Sequence, residues 1–89
     1  MPRLRLYITG ETPTSQALIT RLEHALSEEY PEGYELEVRN IFDDPEAAID
    51  DEVIVTPTLL RLLPEPVRRL IGDLSDEERV LAGLKVEEN

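Results

Sequence analysis

Carboxylates crowd one part of this chain. Asp43, Asp44, Glu46, Asp50, Asp51 and Glu52 fall within ten consecutive residues, a density that could serve a hard divalent cation bound by oxygen. The spacing does not suit one. A calcium-binding loop of the helix–loop–helix kind alternates its ligands and turns on a glycine at its sixth position, and counting from Asp43 that position is Ala48. A solvated acidic helix or a charged docking surface is the better reading. His24 is the only histidine, which by itself makes no metal site, and Ser15 lies about two and a half helical turns from it, too far for a nucleophile and its base. Arg68 and Arg69 are adjacent guanidinium groups able to grip a carboxylate or a phosphate. With twenty acidic residues against nine basic ones and a net charge of −11, ion pairing within the chain explains them as well, and nucleic acid would be repelled. There is no cysteine, which removes disulfides, thiolate metal sites and thiol exchange together. Nothing marks an enzyme, a metal or a cofactor.

The chain that must position these residues is 89 long, the size of one domain over residues 1–89, in which a single core leaves only ~5 kcal/mol of net stability. No run of eighteen apolar residues and no basic, apolar leader occurs, so the expectation is a cytoplasmic protein with no membrane partner.

Leu4, Leu6 and Ile8 alternate with Arg3, Arg5 and Tyr7, the period of two of a strand with one core face. Gly10 allows a sharp turn, Thr12 can cap a helix and Pro13 suits its first position. Ala17, Leu18, Leu22, Ala25 and Leu26 then repeat at helical spacing as far as Tyr30-Pro31. Tyr34, Leu36 and Val38 form a second alternating strand, and strand–helix–strand implies a parallel right-handed crossover. Asp44 before Pro45 caps a short helix to about Asp50. Val53 to Leu63 predicts a strand that Pro57 confines to a start, an edge or a bend, with Val67 to Ile71 as its partner. Ser75 and Glu78 make an S-x-x-E capping box for a last helix bearing Val80, Leu81 and Leu84 on one face.

The resulting order, βαβαββα, is that of the thioredoxin-like α/β fold. That fold keeps a cis peptide bond at the start of its third strand, here Thr56-Pro57, where packing can hold an isomer disfavoured by only ~0.5–1 kcal/mol. It also carries C-x-x-C after the first strand, where this chain reads Thr12-Pro13-Thr14-Ser15. Oxidoreductase chemistry is excluded by residue type, and a binding module on the same scaffold remains.

The runs Gly10-Glu11-Thr12-Pro13-Thr14-Ser15, Thr56-Pro57-Thr58-Leu59 and Pro64-Glu65-Pro66-Val67-Arg68-Arg69, with the Ile71-Gly72-Asp73-Leu74-Ser75 that follows, resemble the KaiB family from about Leu4 to Leu84. The resemblance implies two folds: a thioredoxin-like monomer that docks on the N-terminal ATPase ring of KaiC, and a tetrameric ground state, βαββααβ, with the second half rebuilt. Two packings within a few kcal/mol are decided by small terms. A helix starting at Ser75, and Lys85 near its end, favour the thioredoxin-like form, whereas Gly83 inside that helix costs ~1 kcal/mol. The docking surface implied by the resemblance includes Asp50, Glu52, Val53 and Arg61, shaped by Pro57, and Pro64, Glu65 and Pro66 bear on the balance of folds.

Some residues depart from the pattern of clock-type members. Glu35 and Glu37 stand on the second strand where those members are basic, which weighs against KaiA sequestration. Glu52 replaces a lysine within the expected KaiC surface, and Glu65 replaces the central residue of a three-proline run. Two other roles fit the same residues: a stress-response regulator of a KaiC-like ATPase outside any oscillator, and a sensor module resembling the N-terminal domain of the kinase SasA.

Overall fold

The computed structural model describes residues 1–85. Its elements are β1 (Arg3–Ile8), α1 (Pro13–Glu29), β2 (Glu35–Asn40), α2 (Pro45–Asp50), β3 (Thr58–Leu63), β4 (Arg68–Ile71) and α3 (Glu77–Lys85). They build one sheet in the order β2-β1-β3-β4. β1 and β2 run parallel through the α1 crossover, with Leu6 opposite Val38, while β1–β3 and β3–β4 are antiparallel. This is the α/β architecture that the order of elements predicts.

Each boundary has a local cause. Thr12 caps α1 in a reciprocal box: Ser15 N–H donates to Thr12 Oγ1 at 3.1 Å and Thr12 N–H to Ser15 Oγ at 2.9 Å, with Pro13 in the first turn. Gly10 (φ +73) takes a left-handed turn that a side chain would strain, and its N–H donates to Asn40 Oδ1 at 3.1 Å, tying the ends of β1 and β2. Asp44 caps α2 by accepting from Ala47 N–H at 3.1 Å.

Two expected boundaries shift. β3 starts at Thr58, not Val53, because Pro57 offers no ladder donor and Thr58 Oγ1 instead donates to Val55 O at 2.5 Å. α3 starts at Glu77, not Ser75. Its cap is Asp76, whose Oδ1 accepts from the N–H groups of Glu78 (3.1 Å) and Arg79 (3.3 Å), while the Ser75 hydroxyl donates to Asp73. An Asp already placed one residue later displaces the S-x-x-E box. The peptide bonds Thr56–Pro57, Leu63–Pro64 and Glu65–Pro66 are all cis.

The main core lies on one face of the sheet. Leu4, Leu6, Ile8 and Leu59 meet Leu22, Ala25 and Leu26 of α1 and Val80 and Leu84 of α3. Ala17, expected inside, is exposed and lines a cleft instead. On the other face a smaller cluster of Tyr7, Ala48 and Leu60, flanked by Ile41, Ala47, Val53 and Leu62, holds α2.

Candidate functional site

α2 has six residues, too few to be stable alone, and charged groups on the sheet beneath fix it in place. Alternation puts Arg3, Arg5 and Tyr7 of β1 on the face opposite the leucines, in register with Glu35, Glu37 and Arg39 of β2. Arg3 Nε reaches Glu35 at 3.2 Å, Arg5 Nε reaches Glu37 at 2.6 Å, and Glu37 also pairs with Arg39 at 2.6 Å. At the two ends of α2 this ladder meets the helix. Arg39 pairs with the capping Asp44. Asp51 accepts from Arg5 Nη1 at 2.9 Å and from the Tyr7 hydroxyl.

Each partner's titration registers these contacts. Hydrogen bonds from Arg5 and Arg39 hold the Glu37 carboxyl below its ordinary range. Burial alone would raise Asp51, but the Tyr7 and Arg5 hydrogen bonds and the charge of Arg5 outweigh it and carry the carboxyl down. Burial, then the hydrogen bond to Asp51, pushes the Tyr7 phenol up to about 12. The Glu37 hydrogen bond raises the Arg5 guanidinium further.

From the opposite edge, Arg69 Nη2 donates to Asp51 O at 2.7 Å and Nη1 to Glu52 O at 3.3 Å, so a cation sits on the C-terminal carbonyls of α2. The helix ends in a Schellman turn, with Val53 N–H donating to Ala48 O at 2.9 Å and Glu52 N–H to Ile49 O at 3.0 Å. Glu52 fills the left-handed position (φ 56) that glycine usually takes.

The acidic run therefore splits by role. Asp44 and Asp51 are structural; Glu46, Asp50 and Glu52 are exposed. Among the described residues no group of three or more metal-ligating side chains converges. Val53 is half-buried against the α2 cluster. Arg61 does not join Asp50, Glu52 and Val53. It lies on the α1/α3 face, 8 % exposed, with Nη1 donating to Leu84 O at 3.0 Å and Nη2 to Pro66 O at 3.1 Å. Arginine in a strand reads as a surface residue, and only the position of α3 turns it inward. Pro64, Glu65 and Pro66 form the exposed β3–β4 turn. Gly83 lies on α3 where a Cβ would run into a Leu70 methyl, and Lys85 is the last residue of that helix.

Sequence reasoning missed the Asp51 anchor and also a cleft of about 680 Å³ between the start of α1 and Thr56-Pro57, lined by Thr12, Thr14, Ser15, Leu18, Arg21 and Leu74 among others. The alternation that places Arg5 and Tyr7 on the α2 face, with Asp51 just past the helix, is the signal that was there to find. Among the described residues no helix is long and apolar enough to cross a membrane.

Fold and site together define a thioredoxin-like α/β domain whose redox position holds hydroxyls in place of thiols. A model of the KaiB domain matches residues 5–86. Circadian clock oscillator proteins KaiB from Prochlorococcus marinus and Acaryochloris marina are each 47 % identical over 81 residues, covering 91 % of this chain and 69 % and 78 % of theirs. The chain belongs to the KaiB family. The N-terminal domain of Synechococcus elongatus SasA superposes with a TM-score of 0.78 at 25 % identity, covering 93 % of this chain and 78 % of that one. A designed protein at 20 % identity shares the fold with a TM-score of 0.72.

Proposed function

We propose that this chain is a non-catalytic regulator that docks on the N-terminal ATPase ring of a KaiC-type protein through α2 and the turn after it. Asp50 and Glu52 would meet the partner directly, and Val53 would hold the turn in place. Arg61 supports the surface from behind by locking α3 to the β3–β4 turn. The observation that carries this reading is an exposed carboxylate edge on a short helix fixed at both ends, presented by a member of a family whose curated relatives are named as clock oscillator proteins. Rigid placement lowers the ordering cost of binding.

Exchange with a tetrameric second fold would act through population: the apparent affinity falls by the fraction of chains in the competent form. KaiA sequestration is left out of the proposal, because Glu35 and Glu37 occupy the second strand and are already matched by Arg3, Arg5 and Arg39. The superposition with the SasA N-terminal domain favours a second reading, a sensor module contacting a kinase or receiver domain. Regulation of a KaiC-like ATPase in stress response, outside an oscillator, uses the same surface.

Sizing of the chain alone and mixed with a nucleotide-loaded KaiC-type ring, from the same cytoplasm if one is encoded, tests the proposal. Co-migration supports it. Failure to co-migrate under conditions that trap either fold, with capture of a kinase instead, replaces it with the sensor reading.

A further inference from the structure

The turn after α2 leaves unusual groups in water. Ile54 is 92 % exposed and Ile71, on β4, is 54 % exposed. Isolated surface isoleucines are ordinary, but these two come from separate segments and line one depression of about 500 Å³ together with Glu52 and Arg69. The backbone beside them is strained. Glu52 holds a left-handed conformation (φ 56) at a position suited to glycine, and strain of this kind collects at functional positions.

The carboxylates on the α2 face of the sheet are sorted as well. Glu35, Glu37, Asp44 and Asp51 all have arginine partners. The carboxylates of Glu46, Asp50 and Glu52 have no ion-pair partner among the described residues, and the Arg69 guanidinium is committed to the carbonyls of Asp51 and Glu52. The depression thus combines two exposed isoleucines with one carboxylate, Glu52, that has no ion-pair partner among the described residues. Nucleic acid and anionic lipid are repelled by it and by a net charge of −11. A second copy would bring the same carboxylates against themselves.

We propose that Ile54, Ile71 and the Glu52 carboxylate form the specificity element of the docking surface. They select a protein partner that seats an apolar side chain in the depression and sets a lysine or arginine against Glu52. This deepens the docking reading and rests on it. The apolar contact supplies affinity, and the charge pair supplies choice of partner and rate of encounter.

Binding of labelled chain to a nucleotide-loaded KaiC-type ring, followed by anisotropy at low and high salt, tests the element. Ile54→Ser is expected to raise Kd by ~10-fold or more, the scale of a buried anchor. Glu52→Gln is expected to raise it by ~3- to 10-fold at low salt and far less at high salt, as screening removes the pair. Glu52→Lys is expected to lose more than Glu52→Gln. Glu52→Gly separates charge from strain: it relieves the backbone, yet must lose binding as Glu52→Gln does. Circular dichroism and thermal unfolding check that each variant folds. If Ile54→Ser and Glu52→Lys bind like the unsubstituted chain, the element is overturned while docking stands. If the unsubstituted chain does not bind the ring, docking fails and the element with it. Self-association that Ile54→Ser abolishes would make a second copy the occupant and overturn the stated partner.

Discussion

The two faces of the sheet are held by different physics. Under α1 and α3 the strands present Leu4, Leu6, Ile8, Leu59 and Leu70 to a dry core. Under α2 the strands present Arg3, Arg5, Tyr7, Glu35, Glu37 and Arg39, and among the described residues the buried hydrophobic side chains there are Tyr7, Ala48 and Leu60. Burial on the first face is non-directional and scales with area. Bonds on the second are directional, weak one by one in water and dependent on pH and salt. The first face supplies most of the stability; the second sets where a short helix sits. The proposed docking surface is built on the second, where small free energies are enough to loosen or re-aim it.

Removing a core methyl cluster should break the first face outright. Leu6→Ala, at 0 % exposure, is expected to cost ~2–5 kcal/mol, a large part of the stability of so small a domain, read as a drop in the urea midpoint at unchanged slope. Arg61→Ala comes next. It leaves the carbonyls of Leu84 and Pro66 without their donors and is expected to cost ~2–3 kcal/mol, with faster amide exchange in α3 before exchange elsewhere.

A smaller, local effect is expected from Asp51→Asn, which weakens the anchor shared by Arg5 and Tyr7. A loss of ~1 kcal/mol at neutral pH, with faster exchange confined to α2, would separate the two faces; loss spread evenly over the sheet would show that they unfold as one. The same anchor makes a pH prediction. Folding holds Asp51 and Glu37 below their ordinary range, so the folded state binds fewer protons than the unfolded one as acid is added. Their contribution is complete above about pH 5 and is lost as pH falls through the folded-state titrations, below about pH 4. Urea midpoints measured down that range should fall more steeply for the parent chain than for Asp51→Asn.

Gly83 compares helix propensity with packing. Alanine there gains ~1 kcal/mol of helix propensity but drives a Cβ into Leu70. Gly83→Ala is therefore expected to stabilise more in a Leu70→Ala background than in the parent, and a double-mutant cycle that is additive would show that Leu70 swings aside freely. The smallest change expected is a gain. Glu52→Gly relieves the left-handed residue that ends α2 and should raise stability by ~1 kcal/mol, visible in thermal unfolding, while weakening docking.

Much of the scaffold was legible from periodicity. Alternation in Arg3 to Ile8 and in Glu35 to Val38, the apolar repeat at Leu18, Leu22, Ala25 and Leu26, and the Thr12-Pro13 and Asp44-Pro45 starts are local patterns, and local patterns survive folding when nothing nearby competes. They failed where neighbours did compete. Asp76 displaced Ser75 as the cap of α3, a choice between adjacent residues within the range of a single hydrogen bond. Val53 to Pro57 is β-branched enough for a strand but packs as a turn, because Val53 is held by α2 and Thr58 bonds back to Val55. The resemblance places Arg61 at a partner surface; α3 covers it, through a contact with Leu84, 23 residues further along the chain.

The site was half legible. Composition showed the carboxylates but could not assign them roles, since Asp50 and Asp51 are chemically the same and only contact with Arg5, Tyr7 and Arg69 tells anchor from exposed edge. The sequence alone determined the absence of thiol chemistry, the acidic field and the order of elements, because residue type, net charge and hydropathy period are properties of the chain in any conformation. Tertiary structure alone decided which face each charged side chain occupies, which arginine is buried, and where Ile54, Ile71 and Glu52 meet, because those depend on register and crossover between segments that no local pattern connects.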